Sequence, residues 1–196
     1  MTRLATIVAL GLVGGVVALG PGTKASAQRG APWTVLFDGK NLDSFNPIGT
    51  ANWKLADGVV QADMGTGFLV SKASYGDFEF KADFWVTDDA NSGVFIRCDD
   101  PKTVNAMNAY EVNIFDKRPD QAYRTGGIVD VAKPKDMTIT TGNKWNTIEI
   151  TARGPRMTVA INGLSMVDVQ DAKHARGPIA LQYGAGTVKF RSVQIR

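Results

Sequence analysis

After Trp33 the chain never sustains a helical period for more than a turn or two. Apolar and polar residues instead alternate in short runs broken by glycine, asparagine and aspartate. A period of two puts successive side chains on opposite faces, so each run can bury one face of a strand and wet the other. The clearest case sets Phe78, Phe80, Ala82 and Phe84 against Glu79, Lys81 and Asp83. Two turns are strongly specified. Asn162-Gly163 joins residues 156–161 to 164–169, and Asp57-Gly58 joins 53–56 to 59–62; both dipeptides tolerate the positive φ that a two-residue hairpin demands. Further strands are expected at 34–37, 67–71, 78–87, 93–98, 110–116, 127–131, 147–153, 178–183 and 188–195. So many short strands predict an all-β fold, a two-sheet antiparallel sandwich of the jelly-roll kind. Residues 99–108 and 133–136 read as irregular loops of the sort that rim a site.

The N-terminus has the form of a processing signal: Arg3, an apolar run over 4–19, and Ala25-Ser26-Ala27 as the cleavage motif, so that residues 1–27 are removed and Gln28 leads. The run is interrupted by Gly11, Gly14 and Gly15 and is short for a span of roughly 20 residues, so no stable membrane insertion is expected after cleavage. Residues 28–32 form a leader and 33–196 a single domain, exported to the periplasm or secreted. Its one cysteine allows no internal disulfide, and Cys98 shares the parity of Val94 and Ile96, which points it inward. Loss of Arg3 and Lys24 takes the formal charge from +3 to +1, and the remaining cations are interleaved with acids. Nucleic acid is therefore not an expected partner.

Chemistry concentrates between Asn91 and Asp116. By parity Phe95 and Arg97 face away from Val94 and Ile96, while Glu111 and Asn113 face away from Tyr110, Val112 and Ile114. If these strands pair, Arg97, Glu111 and Asp116 can converge on the open face of a sheet, a geometry suited to gripping or cleaving a hydroxyl-rich small molecule. Arg97 and Glu111 could equally be a cross-strand ion pair. Gln182 has the opposite parity to Leu181 and reaches the Glu111 face if the sheets stack as expected; Trp145 offers either core packing or a stacking platform for the C–H face of a pyranose. His174, the single histidine, lies in a loop read as exposed, and one histidine makes no histidine-based metal site. No cofactor is required; calcium at Asp88-Asp89 or Asp99-Asp100 is the one option, without the spacing of a dedicated calcium loop. No phosphate-binding loop, nucleophile elbow or nucleotide fingerprint is present.

Several motifs occur in order: Trp33 to Leu42 with Asp38-Gly39, Tyr75-Gly76-Asp77-Phe78-Glu79, Asn91-Ser92-Gly93 through Arg97, Tyr110-Glu111 through Asp116, Thr125-Gly126, Trp145-Asn146, Asn162-Gly163, and Gly177 to Gln182 followed by Phe190-Arg191. Together they resemble the 3-keto-disaccharide hydrolase domain family over essentially all of the chain after Trp33. The resemblance implies a concanavalin-like jelly roll and an exported protein acting on 3-keto-glycosides or 3-keto-disaccharides. The chain departs from the family where Leu-Gln-x-His and Phe-Arg-Asn are common: it has Tyr183-Gly184 and Ser192, and Asn113 stands where glutamine is usual. Any role of that histidine must then fall to carboxylates or be lost.

Glu111, Asn113 and Asp116 also resemble in spacing the Glu-x-Asp-x-x-Glu strand of retaining β-glucanases, in which a bulge returns the last carboxylate to the face of the first. Asn113 cannot share a proton as aspartate does, which disfavours ordinary glycoside hydrolysis. A 3-keto sugar needs less, since its ketone acidifies the C2 proton. On this reading Glu111 is base or acid, Asp116 its partner and Arg97 the positive group, with Asn113, Gln182 and Trp145 on the sugar. The alternative is a non-catalytic, lectin-like carbohydrate-binding module using the same cleft.

Overall fold

The computed structural model describes Met1 and residues 31–196, so the expected signal, its cleavage site and most of the leader lie outside the described residues. Thirteen strands follow in chain order: β1 Thr34–Phe37, β2 Phe45–Gly49, β3 Lys54–Ala56, β4 Val59–Ala62, β5 Gly67–Tyr75, β6 Phe78–Val86, β7 Asn91–Ile96, β8 Tyr110–Ile114, β9 Trp145–Arg153, β10 Arg156–Ile161, β11 Leu164–Gln170, β12 Gly177–Ala185 and β13 Val188–Ile195. They form two antiparallel sheets. The larger runs β11-β10-β9-β6-β13-β4-β3, with β1 also on β13; the smaller runs β2-β5-β12-β7-β8. No helix among the described residues is long and apolar enough to cross a membrane.

Alternation translates directly into the core. Phe78, Phe80 and Phe84 of β6 meet Ile148 and Ile150 of β9, Phe190 of β13, Leu181 of β12 and Val94 of β7 in one cluster of buried residues between the sheets. Each such side chain contributes about 1.5–3 kcal/mol by leaving water. The two hairpins take their expected form, with φ of 52° and 75° at Asp57 and Gly58 and 53° and 78° at Asn162 and Gly163. Positive φ at both central positions matches the turn to strand twist.

Two elements depart from the sequence expectation. β2 contains Pro47 and Gly49, which argue against a strand, but it sits at a sheet edge bonded only to β5, where a missing N–H costs nothing. Residues 127–131 form no strand: Gly126 and Asp130 have positive φ, and Ile128 bridges both Val112 and Ala132. This turn instead covers the free edge of β8: Asn113 N donates to Gly127 O, and Val129 N donates to Glu111 O.

The solvent side of the smaller sheet has a second apolar cluster, where Val70, Phe95 and Ala180 pack with Cys98, Val104 and Ala109. Cys98 is thus buried but on the face opposite to the one its parity implied. The reason is Arg97, whose φ of 55° breaks the pleat and shifts the following residue by one face. Burial, with Asp99 adding, pushes the thiol up to about 12.

Candidate functional site

Glu111 and Gln182 meet on the outer face of the five-stranded sheet. Cross-strand register places Gln182 opposite Gly93 and Gly93 opposite Asn113, while Glu111 stands opposite Phe95 in the next row. Gly93 has no side chain between them: a methyl group there would lie 3.4 Å from Gln182 Oε1 and 3.5 Å from Glu111 Cγ. Both side chains therefore lean over one bare patch of backbone. Gln182 Oε1 is buried with no hydrogen-bond partner, as is Asn113 Oδ1, while Asn113 Nδ2 donates to Tyr123 O at 2.6 Å. Buried amide oxygens left open in this way cost stability and are available to a ligand's hydroxyls.

Burial pushes the Glu111 carboxyl up to about 7; Arg118 draws it back down and Asp130 raises it further. The Arg118 Nε is also buried without a partner. In the sequence, only the run Asp116-Lys117-Arg118 next to the Glu111 strand signals Arg118.

A raised carboxyl has a definite stability signature. Below the unfolded value near 4.5 both states hold the proton; as the pH rises to about 7 the unfolded chain releases it first and the native state loses relative stability. Glu111→Gln should therefore match the wild type at pH 4.5 and exceed it at pH 8 by about 1–3 kcal/mol, read from urea midpoints. An equal difference at both pH values would mean that Glu111 titrates normally.

The other expected site residues are elsewhere. Arg97 does not face Glu111. Its left-handed backbone turns the guanidinium into the end of the sandwich, 2 % exposed. There Nε donates to Gly76 O at 3.0 Å, Nη1 to Gly154 O at 2.8 Å and His174 O at 3.3 Å, and Nη2 pairs with Asp77 at 3.4 Å. Asp116 does not return to the Glu111 face either, because β8 ends at Ile114 without the bulge that would bring it back. Its Oδ1 accepts from the Thr125 and Thr141 hydroxyls at 2.5 and 3.1 Å, and its Oδ2 from Thr141 N and Gly142 N at 2.5 and 3.2 Å. That carboxylate ties three loop segments together. Trp145 opens β9 on the larger sheet, opposite Trp85, with the Arg191 guanidinium 4.0 Å above its ring, and so lies outside the cleft.

His174 is not exposed but 2 % accessible, with Nδ1 2.6 Å from Asp99 Oδ2 and its ring edge-on to Tyr110. Asp99 is engaged there, and Asp100 accepts from Lys102 N. Among the described residues no group of three or more histidine, cysteine, aspartate or glutamate side chains is gathered to hold a metal ion, the acids considered for calcium included.

Next to Gln182 a cleft of about 490 Å³ opens, lined by Ile48, Phe68, Asn91, Val104 and Gly184 among others. Phe68, which falls in the expected strand 67–71 with no functional signal of its own, pairs with Gln182 across β5 and β12.

Residues 32–196 match the model of the 3-keto-alpha-glucoside-1,2-lyase-like domain. No curated protein sequence matches the chain. Among solved structures, a candidate glycosyl hydrolase from Parabacteroides distasonis ATCC 8503 is similar at 25% identity and a TM-score of 0.72, covering 85% of this chain and 99% of that one. A second from the same organism has 17% identity and a TM-score of 0.76, covering 84% and 93%. The carbohydrate binding module CBM66 from Bacillus subtilis shares the fold at 20% identity and a TM-score of 0.59, covering 82% and 92%.

Proposed function

The chain belongs to the 3-keto-alpha-glucoside-1,2-lyase-like domain family, and from that membership we propose that it cleaves 3-keto-glycosides, with Glu111 as the proton carrier. The observation that supports this most is the Glu111 carboxyl, which burial holds near 7 beside open polar atoms of Gln182, Asn113 and Arg118. A general base works best when its pKa lies near the working pH. The ionised form takes the C2 proton next to the ketone, and the electron pair moves onto the 3-oxygen as an enolate. Collapse of the enolate forms the C1–C2 double bond and expels the C1 substituent, whose oxygen recovers the proton from Glu111. Addition of water to the unsaturated ketone completes a hydrolysis; release without it is a lyase reaction. In this proposal Arg118 takes over from Arg97 the opposition to the enolate charge, a role supported by its pull on the Glu111 carboxyl.

The lectin-like module stands as the second reading, favoured by one observation: Asp116, the expected partner of Glu111, is fully engaged by Thr125, Thr141 and Gly142. Purified protein should cleave 3-keto-trehalose or a 3-keto-glucoside and leave the unoxidised parent intact. Equal cleavage of both sugars would sink the elimination route, and binding of the keto sugar without turnover would select the module.

Export is part of the same proposal and is supported by Arg3, the apolar run over 4–19 and Ala25-Ser26-Ala27. Mass spectrometry of the mature protein should find Gln28 at its N-terminus; an intact Met1 in the membrane fraction would refute it.

A further inference from the structure

We propose that the cleft continues past Gln182 as a leaving-group subsite for an extended apolar aglycone, with Phe68 setting the preference. The inference rests on the reading of Glu111 given above. From Gln182 the next residue across the sheet is Phe68, and from Phe68 the next is Ile48, so the row runs away from Glu111. Each step is one strand spacing, about 4.8 Å, so a sugar ring over Gly93 that keeps its C1 oxygen within reach of Glu111 can carry the remainder of the C1 substituent over Gln182 toward Phe68. Phe68 is half-buried, and its ring is held edge-on against Phe95 at 5.2 Å and 88°, so packing fixes the floor on which the substituent lies. Val104, from the loop after β7, walls the same space.

The lining then changes with distance. Ile48 and Lys102 border both the cleft and a second hollow of about 250 Å³, which opens among Val70, Pro101 and Pro178. Amides stand at the reacting end, and a surface that is mostly carbon, edged by Lys102, stands at the far end. Asn46, Lys72 and Ser74 also border that hollow, but most of the surface it exposes is carbon, so an alkyl chain gains more there by leaving water than a second sugar gains from those few polar groups.

The test uses 3-keto-glucosides with methyl, butyl and octyl aglycones, whose alkoxide leaving groups are of similar basicity, beside a 3-keto-disaccharide. The octyl substrate is expected to exceed the methyl one in kcat/KM by tenfold or more, chiefly through KM. Phe68→Ser should shrink that ratio to within about threefold; Val104→Asn, a change in a loop, should shrink it as well if the floor variant does not fold. Equal kcat/KM along the series, or a disaccharide preferred to the octyl substrate, would overturn the subsite while leaving the role of Glu111 intact. If the wild type turns over no 3-keto-glycoside, the reading of Glu111 fails, and calorimetric affinities for the octyl and methyl compounds decide the subsite separately: tighter octyl binding supports it and equal binding overturns it.

Discussion

Glu111→Gln should lower kcat on a 3-keto-glycoside by about a hundredfold or more while leaving the fold and sugar binding in place, the loss expected when a general acid or base is removed. The substitution is isosteric with the protonated carboxyl, and where burial already raises the pKa to about 7 the neutral amide is well tolerated. KM should change little, because the uncharged side chain keeps its shape over Gly93. The wild-type rate should rise through a pKa near 7 as the carboxylate forms, and that limb should vanish from the residual rate of the variant. Full activity in Glu111→Gln would remove this residue from the chemistry altogether.

Arg97→Leu should instead damage stability and spare the chemistry. The guanidinium is 2 % exposed and joins the carbonyls of Gly76, Gly154 and His174, from three separate segments, to Asp77. Removing it leaves the buried His174 carbonyl open and loses the bonds to the more exposed Gly76, Gly154 and Asp77, which costs about 2–4 kcal/mol. For a domain of this length that lowers Tm by about 10 °C. The part of the preparation that stays folded should keep the wild-type kcat/KM, since Arg97 does not touch the cleft. A kcat/KM loss of a hundredfold at unchanged Tm would restore Arg97 as the positive group of the site.

By itself the sequence determined the strand-dominated sandwich, the two I′-type hairpins and the face on which Glu111 and Gln182 stand. These follow from local rules: alternation of side chains along a strand, and positive φ at Asn-Gly and Asp-Gly. The family followed from motif order. Which polar residues share the cleft was decided only by the tertiary structure. Arg97 and Asp116 satisfy the parity or spacing of a converging site, yet a single left-handed residue turns the first away and the end of β8 frees the second to bind Thr125, Thr141 and Gly142. Conversely, Arg118 carries only a weak local signal and Phe68 none, and they matter because the turn after β8 and the neighbouring strand β5 bring them to Glu111 and Gln182. Alternation records which side of its own strand a residue occupies. What lies beside it depends on strand order and on how loops return across the sheet, and those are settled by contacts between residues distant in sequence.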